Sequence, residues 1–163
     1  MDPTERVPST PALQPRAAEG PLWDPSAIPA ATVIVLRDSP AGINVLMLKR
    51  NRDLAFAGGM WVFPGGRIDP EDFESAGIQT AQTQTAQLTD PQLNDLPLND
   101  QDLERSAAVA AVREAREEAN LFLQVADLRR WSHWTPPPET PKRFSTAFFI
   151  APWSENSGEV TVD

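Results

Sequence analysis

Arg113-Glu114-Ala115-Arg116-Glu117-Glu118-Ala119-Asn120-Leu121 ends a stretch, from about Gln101 to Phe122, that is rich in Ala and Glu and contains neither Gly nor Pro. Such composition predicts a helix. Asn99 or Asp100 can cap its start, and the early acids Asp102 and Glu104 suit the positive end of the helix dipole. With Glu114 as origin and about 100° per residue, Glu117 falls near −60° and Glu118 near +40°. Three carboxylates therefore share an arc of about 100° on one face. Ala108, Val112, Ala115, Ala119 and Phe122 form the opposing face, expected to pack on a sheet, and the small Ala107, Ala110 and Ala111 are expected to leave room for a ligand. Like charges crowded into one turn cost a few tenths of a kcal/mol per close pair, roughly, and a hard cation such as Mg²⁺ or Mn²⁺ would relieve that cost. Arg113, four residues before Glu117, can hold its carboxylate. Alone, REAREE also describes an ordinary solvated helix face.

A second element changes the balance. Trp61-Val62-Phe63-Pro64-Gly65-Gly66 runs a short apolar stretch, Met60–Phe63, into paired glycines, which let backbone approach a metal or phosphate closely. Upstream, Ala31–Arg37 and Ile43–Lys49 read as two strands joined across Asp38–Gly42. Downstream, Trp131–Trp134 and Arg143–Ile150 read as further strands across the proline-rich loop Pro136–Pro141. Strands, one strong helix, then strands indicate an α+β or sandwich architecture.

Composition narrows the function. The 163 residues suit one domain, preceded by a proline-rich flexible tail over residues 1–29, which holds seven of the 17 prolines and has no features of a secretory signal. There is no apolar run long enough to span a membrane, which points to a cytoplasmic protein. Cys is absent and only one His is present, so thiolate chemistry and a His-based metal site are excluded, leaving carboxylates as the natural metal ligands. A net charge of −9 argues against general nucleic-acid binding. Residues 73–100, rich in Gln, Thr, Asn and Asp, read as a polar surface insertion. His133 reads as a structural or surface residue, Trp131 and Trp134 as packing residues, and Lys49 and Arg50 as cations able to pair with phosphate.

Together these residues resemble the signature of the Nudix hydrolases, GxxxxxE, seven residues, then REUxEExGU, with U a bulky aliphatic residue. Gly66 opens the first half, and Arg113-Glu114 with Glu117-Glu118 carries the second. The resemblance implies a Nudix-type α/β/α sandwich with a mixed sheet over residues 30–163. It also implies Mg²⁺ or Mn²⁺ on Glu114, Glu117 and Glu118 with a glycine carbonyl at Gly65 or Gly66, Arg113 in the catalytic set, and Lys49, Arg50, Gly65 and Gly66 at the substrate. The implied reaction is hydrolysis of a diphosphate linkage in a nucleotide-derived small molecule.

The departures are informative. The signature's first Glu is Asp72, with Asp69 and Glu71 as nearby substitutes; its Gly is Asn120, the next-best residue for a left-handed helix cap; and Ala115 stands at the first bulky position. Forty residues, 73–112, separate Asp72 from Arg113 where seven are usual. That interruption resembles the peroxisomal coenzyme A diphosphatase-like subgroup, which carries a long insertion there. A motif of coenzyme A-cleaving relatives is met in part by Leu46, Arg50, Gly59 and Phe63–Gly66, whereas Leu48, Asn51 and Ala55 depart from it. Coenzyme A or acyl-coenzyme A is thus the favoured substrate, with ADP-ribose, NADH or a nucleotide-sugar as alternatives, and a non-catalytic nucleotide-sensing or protein-interaction module as the rival class. After RFSTAFFIAPW the family adds a further strand, an acidic loop and a helix, so the domain reads as C-terminally truncated, with one sheet face uncovered and Glu155 or Glu159 as the late acid. The oligomeric state stays open, a homodimer included.

Overall fold

A computed structural model of the chain describes residues 22–50, 59–78 and 98–161. The strands, in chain order, are β1 (Ile28–Ser39), β2 (Gly42–Val45), β3 (Leu48–Lys49), β4 (Trp61–Val62), β5 (Gly65–Arg67), β6 (Arg129–Trp134) and β7 (Phe144–Pro152). The helices are α1 (Pro70–Ser75) and α2 (Asp100–Ala119), and single 3₁₀ turns occupy Val125–Asp127 and Glu155–Ser157. The class is α+β, as the sequence indicates.

A mixed five-stranded sheet is ordered β2-β1-β7-β6, with β5 alongside the other part of β1's β2-side edge. β1 and β7 run parallel over nine paired positions, from Ile28 with Phe144 to Leu36 with Pro152. Every other pairing in this sheet is antiparallel. Alternation along β1 and β7 separates two faces. Ala31, Val33 and Val35 with Ala147, Phe149 and Ala151 are buried, and α2 packs on them. Ile34, Leu36, Phe148 and Ile150 on the reverse face are only half-buried, and neither α1 nor α2 lies over it. No helix among the described residues is long and apolar enough to cross a membrane.

α2 owes its limits to its caps. The Asn99 side chain accepts the Asp102 N–H at 2.9 Å, and Asn120 adopts the left-handed conformation at φ 54°. Its body is small and apolar: Ala107, Ala110, Ala111, Ala115 and Ala119 are all fully buried. This corrects the expected ligand space above the carboxylates, because Ala107, Ala110 and Ala111 face the core. Phe122 is 47% exposed instead of packing on the sheet, since the left-handed Asn120 ends the helical phase two residues earlier.

Other boundaries shift. Trp23 and Ala27 are buried, so packing against the domain reaches into the expected tail over 1–29; residues 1–21 lie outside the described residues. The expected strand Ile43–Lys49 divides, with Gly42–Val45 on β1 and Leu48–Lys49 in a separate two-stranded sheet with β4. The expected insertion 73–100 begins and ends inside structure: Phe73 and Ile78 belong to the core, and Asp100 opens α2. Residues 79–97 lie outside the described residues. Trp131 and Trp134 are 69% and 57% exposed and so do not serve as core packing, because a register shift between Arg130 and Ser132 breaks the strand's alternation.

Candidate active site

The helix and the glycine strand meet directly. Three residues of β5 pair with β1, placing Gly65 opposite Thr32 and Gly66 opposite Ala31. Gly65 has no space for a side chain, because a Cβ there would lie 2.5 Å from the Ala31 carbonyl oxygen. A Cβ at Gly66 would collide with the Glu114 carboxylate. The missing side chain at Gly66 is therefore what lets Glu114 of α2 approach β5. The Gly65 N–H donates to Glu118 Oε2 at 3.0 Å, tying the last turn of α2 to the strand.

Arg113 organises the remaining carboxylates. Its Nη1 donates to Glu114 Oε1 at 2.9 Å and to Glu117 Oε2 at 3.1 Å, so the expected hold on Glu117 is present. Its Nε and Nη2 donate to the two oxygens of Asp72, each at 3.0 Å, and Nη2 also reaches the Arg67 carbonyl at 3.2 Å. Asp72 foremost, and Glu114 after it, push the guanidinium still further above its already high ordinary pKa, against the opposing effect of burial. Burial pushes the Glu114 carboxyl up from its ordinary value; Arg113 opposes this, and the charges of Glu118 and Glu117 add to it.

Glu114, Glu117, Glu118, Arg113, Gly65 and Gly66 are thus brought together, as the sequence anticipates. Among the described residues, however, no three acidic or His side chains are already disposed as a metal cage. Arg113 and Gly65 take Oε1 of Glu114, Oε2 of Glu117 and Oε2 of Glu118, while the second oxygen of each carboxylate takes no part in these bonds. The donor set still fits a hard divalent cation: three carboxylates within one turn, one of them desolvated, beside a strand whose backbone lies bare.

Asp72, 2% exposed, holds Arg113 and accepts the Asp69 N–H at 2.8 Å. That role is not legible from residue type alone, although Asp69-Pro70-Glu71-Asp72 has the order of a helix start. Asp69 lies farther out, 3.6 Å from Arg113, and pairs with Arg67 at 2.6 Å. Among the described residues, no ion pair joins Lys49 or Arg50 to the glutamates; the Lys49 ammonium lies 5.8 Å from the centre of the Trp61 ring, and the Arg50 backbone bonds Met60 and Gly59. Glu155 and Glu159 are exposed in the segment that follows β7. His133 is a structural residue: Arg130 Nη2 donates to Nδ1 at 2.8 Å, Nε2 bonds Ser145 Oγ at 2.7 Å, and Trp23 packs edge-on against the ring.

No protein-family model matches the chain, and no curated protein matches it. Solved structures do. A NUDIX hydrolase from Alicyclobacillus acidocaldarius aligns at TM-score 0.63 and 25% identity, over 84% of this chain and 74% of that one. A MutT NUDIX hydrolase from Burkholderia pseudomallei aligns at TM-score 0.50 and 19% identity, over 83% and 73%. A bifunctional NMN adenylyltransferase/ADP ribose pyrophosphatase from Francisella tularensis, solved with AMP and a Mn ion, aligns at TM-score 0.50 and 15% identity, over 83% of this chain and 31% of that one. The chain therefore has the Nudix fold, and its likeness to the Alicyclobacillus enzyme supports its place among the Nudix hydrolases.

Proposed function

We propose that the protein hydrolyses a diphosphate linkage in a nucleotide-derived small molecule with the help of a divalent cation, Mg²⁺ or Mn²⁺. The observation that carries this reading is the contact of α2 with the bare strand: Glu118 on the Gly65 N–H and Glu114 against Gly66. Glu114, Glu117 and Glu118, with a backbone carbonyl of Gly65 or Gly66, would hold the cation. Once bound, it would neutralise charge on the bridging phosphates and acidify a water molecule. Arg113 keeps Glu114 and Glu117 aimed along one helix face, with Asp72 fixing its guanidinium in turn. One of the three glutamates, or a carboxylate elsewhere, would accept a proton from the attacking water. Lys49 and Arg50, at the end of the β3–β4 hairpin that leads into the glycine strand, are candidates to bind the outer phosphate.

Coenzyme A or acyl-coenzyme A is the favoured substrate, on the interrupted signature and the partial motif that ends in Phe63–Gly66. ADP-ribose, NADH or a nucleotide-sugar is the second reading, favoured by the fold shared with the Francisella protein, which is named in part for an ADP ribose pyrophosphatase. A sensing role without turnover is the third; Arg113's occupation of Glu114 and Glu117 favours it. A panel of coenzyme A, acetyl-coenzyme A, ADP-ribose and NADH, each with Mg²⁺ and with Mn²⁺, tests all three. Metal-dependent release of a nucleoside monophosphate or its 3′-phosphorylated form supports the hydrolase. Binding without turnover of any of the four removes it.

A further inference from the structure

An open cavity of about 480 Å³ lies beside the first half of α2, within the ~300–1,000 Å³ range of small-molecule sites. Val109 of α2, Val125, Leu128 and Phe149 of β7 form its apolar wall, and Ser75 and Ala76 border it at the end of α1. With Glu114 at zero, Arg105, Ala108 and Val109 fall at about 120–220° around α2, away from the arc of the glutamates. The cavity shares no lining residue with the candidate active site. It is a separate place on the molecule.

The polar groups around the cavity decide what it would take. Arg105 is paired with Asp102 at 2.6 Å. Arg130 is engaged at all three nitrogens: Nε meets Glu104 Oε1 at 2.6 Å, Nη1 donates to the Phe148 carbonyl at 3.3 Å, and Nη2 donates to His133 Nδ1 at 2.8 Å. Its guanidinium also lies 5.7 Å from the centre of the Phe149 ring. Neither arginine is left to draw an anion. Glu104 differs: its Oε2 is buried and, among the described residues, accepts no hydrogen bond. A buried acceptor without a donor is costly, so a ligand that supplies the donor gains what the protein alone forgoes. The Glu104 side chain keeps 30% of its surface exposed, so a small turn of the carboxylate presents that oxygen to the cavity. The Glu104–Arg130 pair is neutral as a whole, and an incoming cation would meet Arg130 as a like charge. The fitting occupant is therefore apolar and uncharged, with one hydrogen to donate.

We infer that this cavity is a binding site for a small, neutral, apolar molecule that donates one N–H hydrogen bond to Glu104. The probes are indole and 1-methylindole, which lacks the donor. Each is titrated into the whole chain while the backbone amide resonances of Ala76, Val109 and Val125 are followed. Indole should shift these signals, and 1-methylindole should bind about 10-fold more weakly, the scale of one hydrogen bond to a charged acceptor. Glu104→Met, which keeps the length but removes both oxygens, should bring the two probes to equal affinity. Val125→Trp, at a position 47% exposed in the single turn Val125–Asp127, should fill the cavity and abolish the indole shifts. The second variant alters no core residue, so its result stands even if Glu104→Met does not fold. Unshifted amide signals with indole, equal affinity of the two probes for the parent, or unchanged indole binding in Val125→Trp would overturn the assignment. Neither metal nor turnover enters the measurement, so it succeeds or fails apart from the hydrolase reading.

Discussion

Arg113 and Asp72 face each other as a two-point fork, Nε to Oδ1 and Nη2 to Oδ2, both at 3.0 Å. Asp72 lies on the short helix α1 and is 2% exposed, and Arg113 lies on α2, so the fork joins the two helices beneath the glutamates. The acid at the first position of the signature thus positions the arginine that positions two other acids. Asp72→Asn keeps the shape but removes the charge, leaving a partly buried guanidinium under-compensated. It should cost about 2–4 kcal/mol of stability, near the lower part of what breaking buried pairs costs. Urea denaturation measures it; a change below about 0.5 kcal/mol would sink the anchoring role.

The two glycines should respond differently to the same methyl group. At Gly65 the added Cβ meets the Ala31 carbonyl oxygen and Thr32, which are backbone and strand and cannot yield cheaply. At Gly66 it meets the end of the Glu114 side chain, which can swing aside. Gly65→Ala should therefore lower the melting temperature markedly. Gly66→Ala should melt within a few degrees of the parent yet lose at least about 10-fold in turnover. Equal melting and equal activity in the two variants would contradict this account of the strand.

Glu117→Gln and Glu118→Gln should each reduce turnover at least about 100-fold while the fold persists, the scale of losing a preorganised electrostatic group. In the Glu118→Gln variant the side-chain amide oxygen can still accept the Gly65 N–H, so the strand contact does not need the charge. Steady-state kinetics with circular dichroism as the folding control is sufficient. If both variants work as well as the parent, the metal site is not there.

Burial holds the His133 imidazole down to about 4 from its ordinary 6.5, with the Arg130 charge assisting. Because the folded value is depressed, the unfolded chain binds the proton first between about 6.5 and 4. Stability should therefore be full above pH 6.5 and fall as the pH drops through that window. The ring is only half-buried, so water screening reduces the effect to about 1–2 kcal/mol. Comparing melting curves of the parent and His133→Gln at pH 7 and pH 4.5 isolates it. A gap between the two proteins that is the same at both pH values would exclude this linkage.

The parts legible in the sequence are those governed by local rules. Asn99, the Ala-rich body and Asn120 specify α2 through capping and period, and the glutamates follow from its phase. β1 and β7 are legible as apolar runs, but their parallel pairing is not, because nothing local in Ile28–Ser39 refers to Phe144–Pro152. α1 hides inside a polar run, although Asp69 and Pro70 mark its first turn. Phe73 shows what that conceals: it is 1% exposed, and Phe73→Ala should cost about 3–5 kcal/mol, measurable by urea denaturation. A cost under 1 kcal/mol would restore the reading of residue 73 as the start of a dispensable insertion. Trp131 and Trp134 mislead because a strand bulge shifts which face a side chain takes, and the bulge leaves no mark in the residue types.

The parallel pairing of β1 with β7 also bears on how the chain acquires its shape. Ile28 meets Phe144 and Leu36 meets Pro152, a separation of 116 residues at each end of the ladder. Closing so long a loop must precede any gain from the contacts it permits, which slows folding. During synthesis β1 waits for nearly the whole described domain to emerge before its central neighbour exists. Meanwhile α2, which has its own caps and period, can form but has only half a sheet to rest on. The glutamates can be written into a helix early, yet the floor beneath that helix is completed only when the last strand is in place.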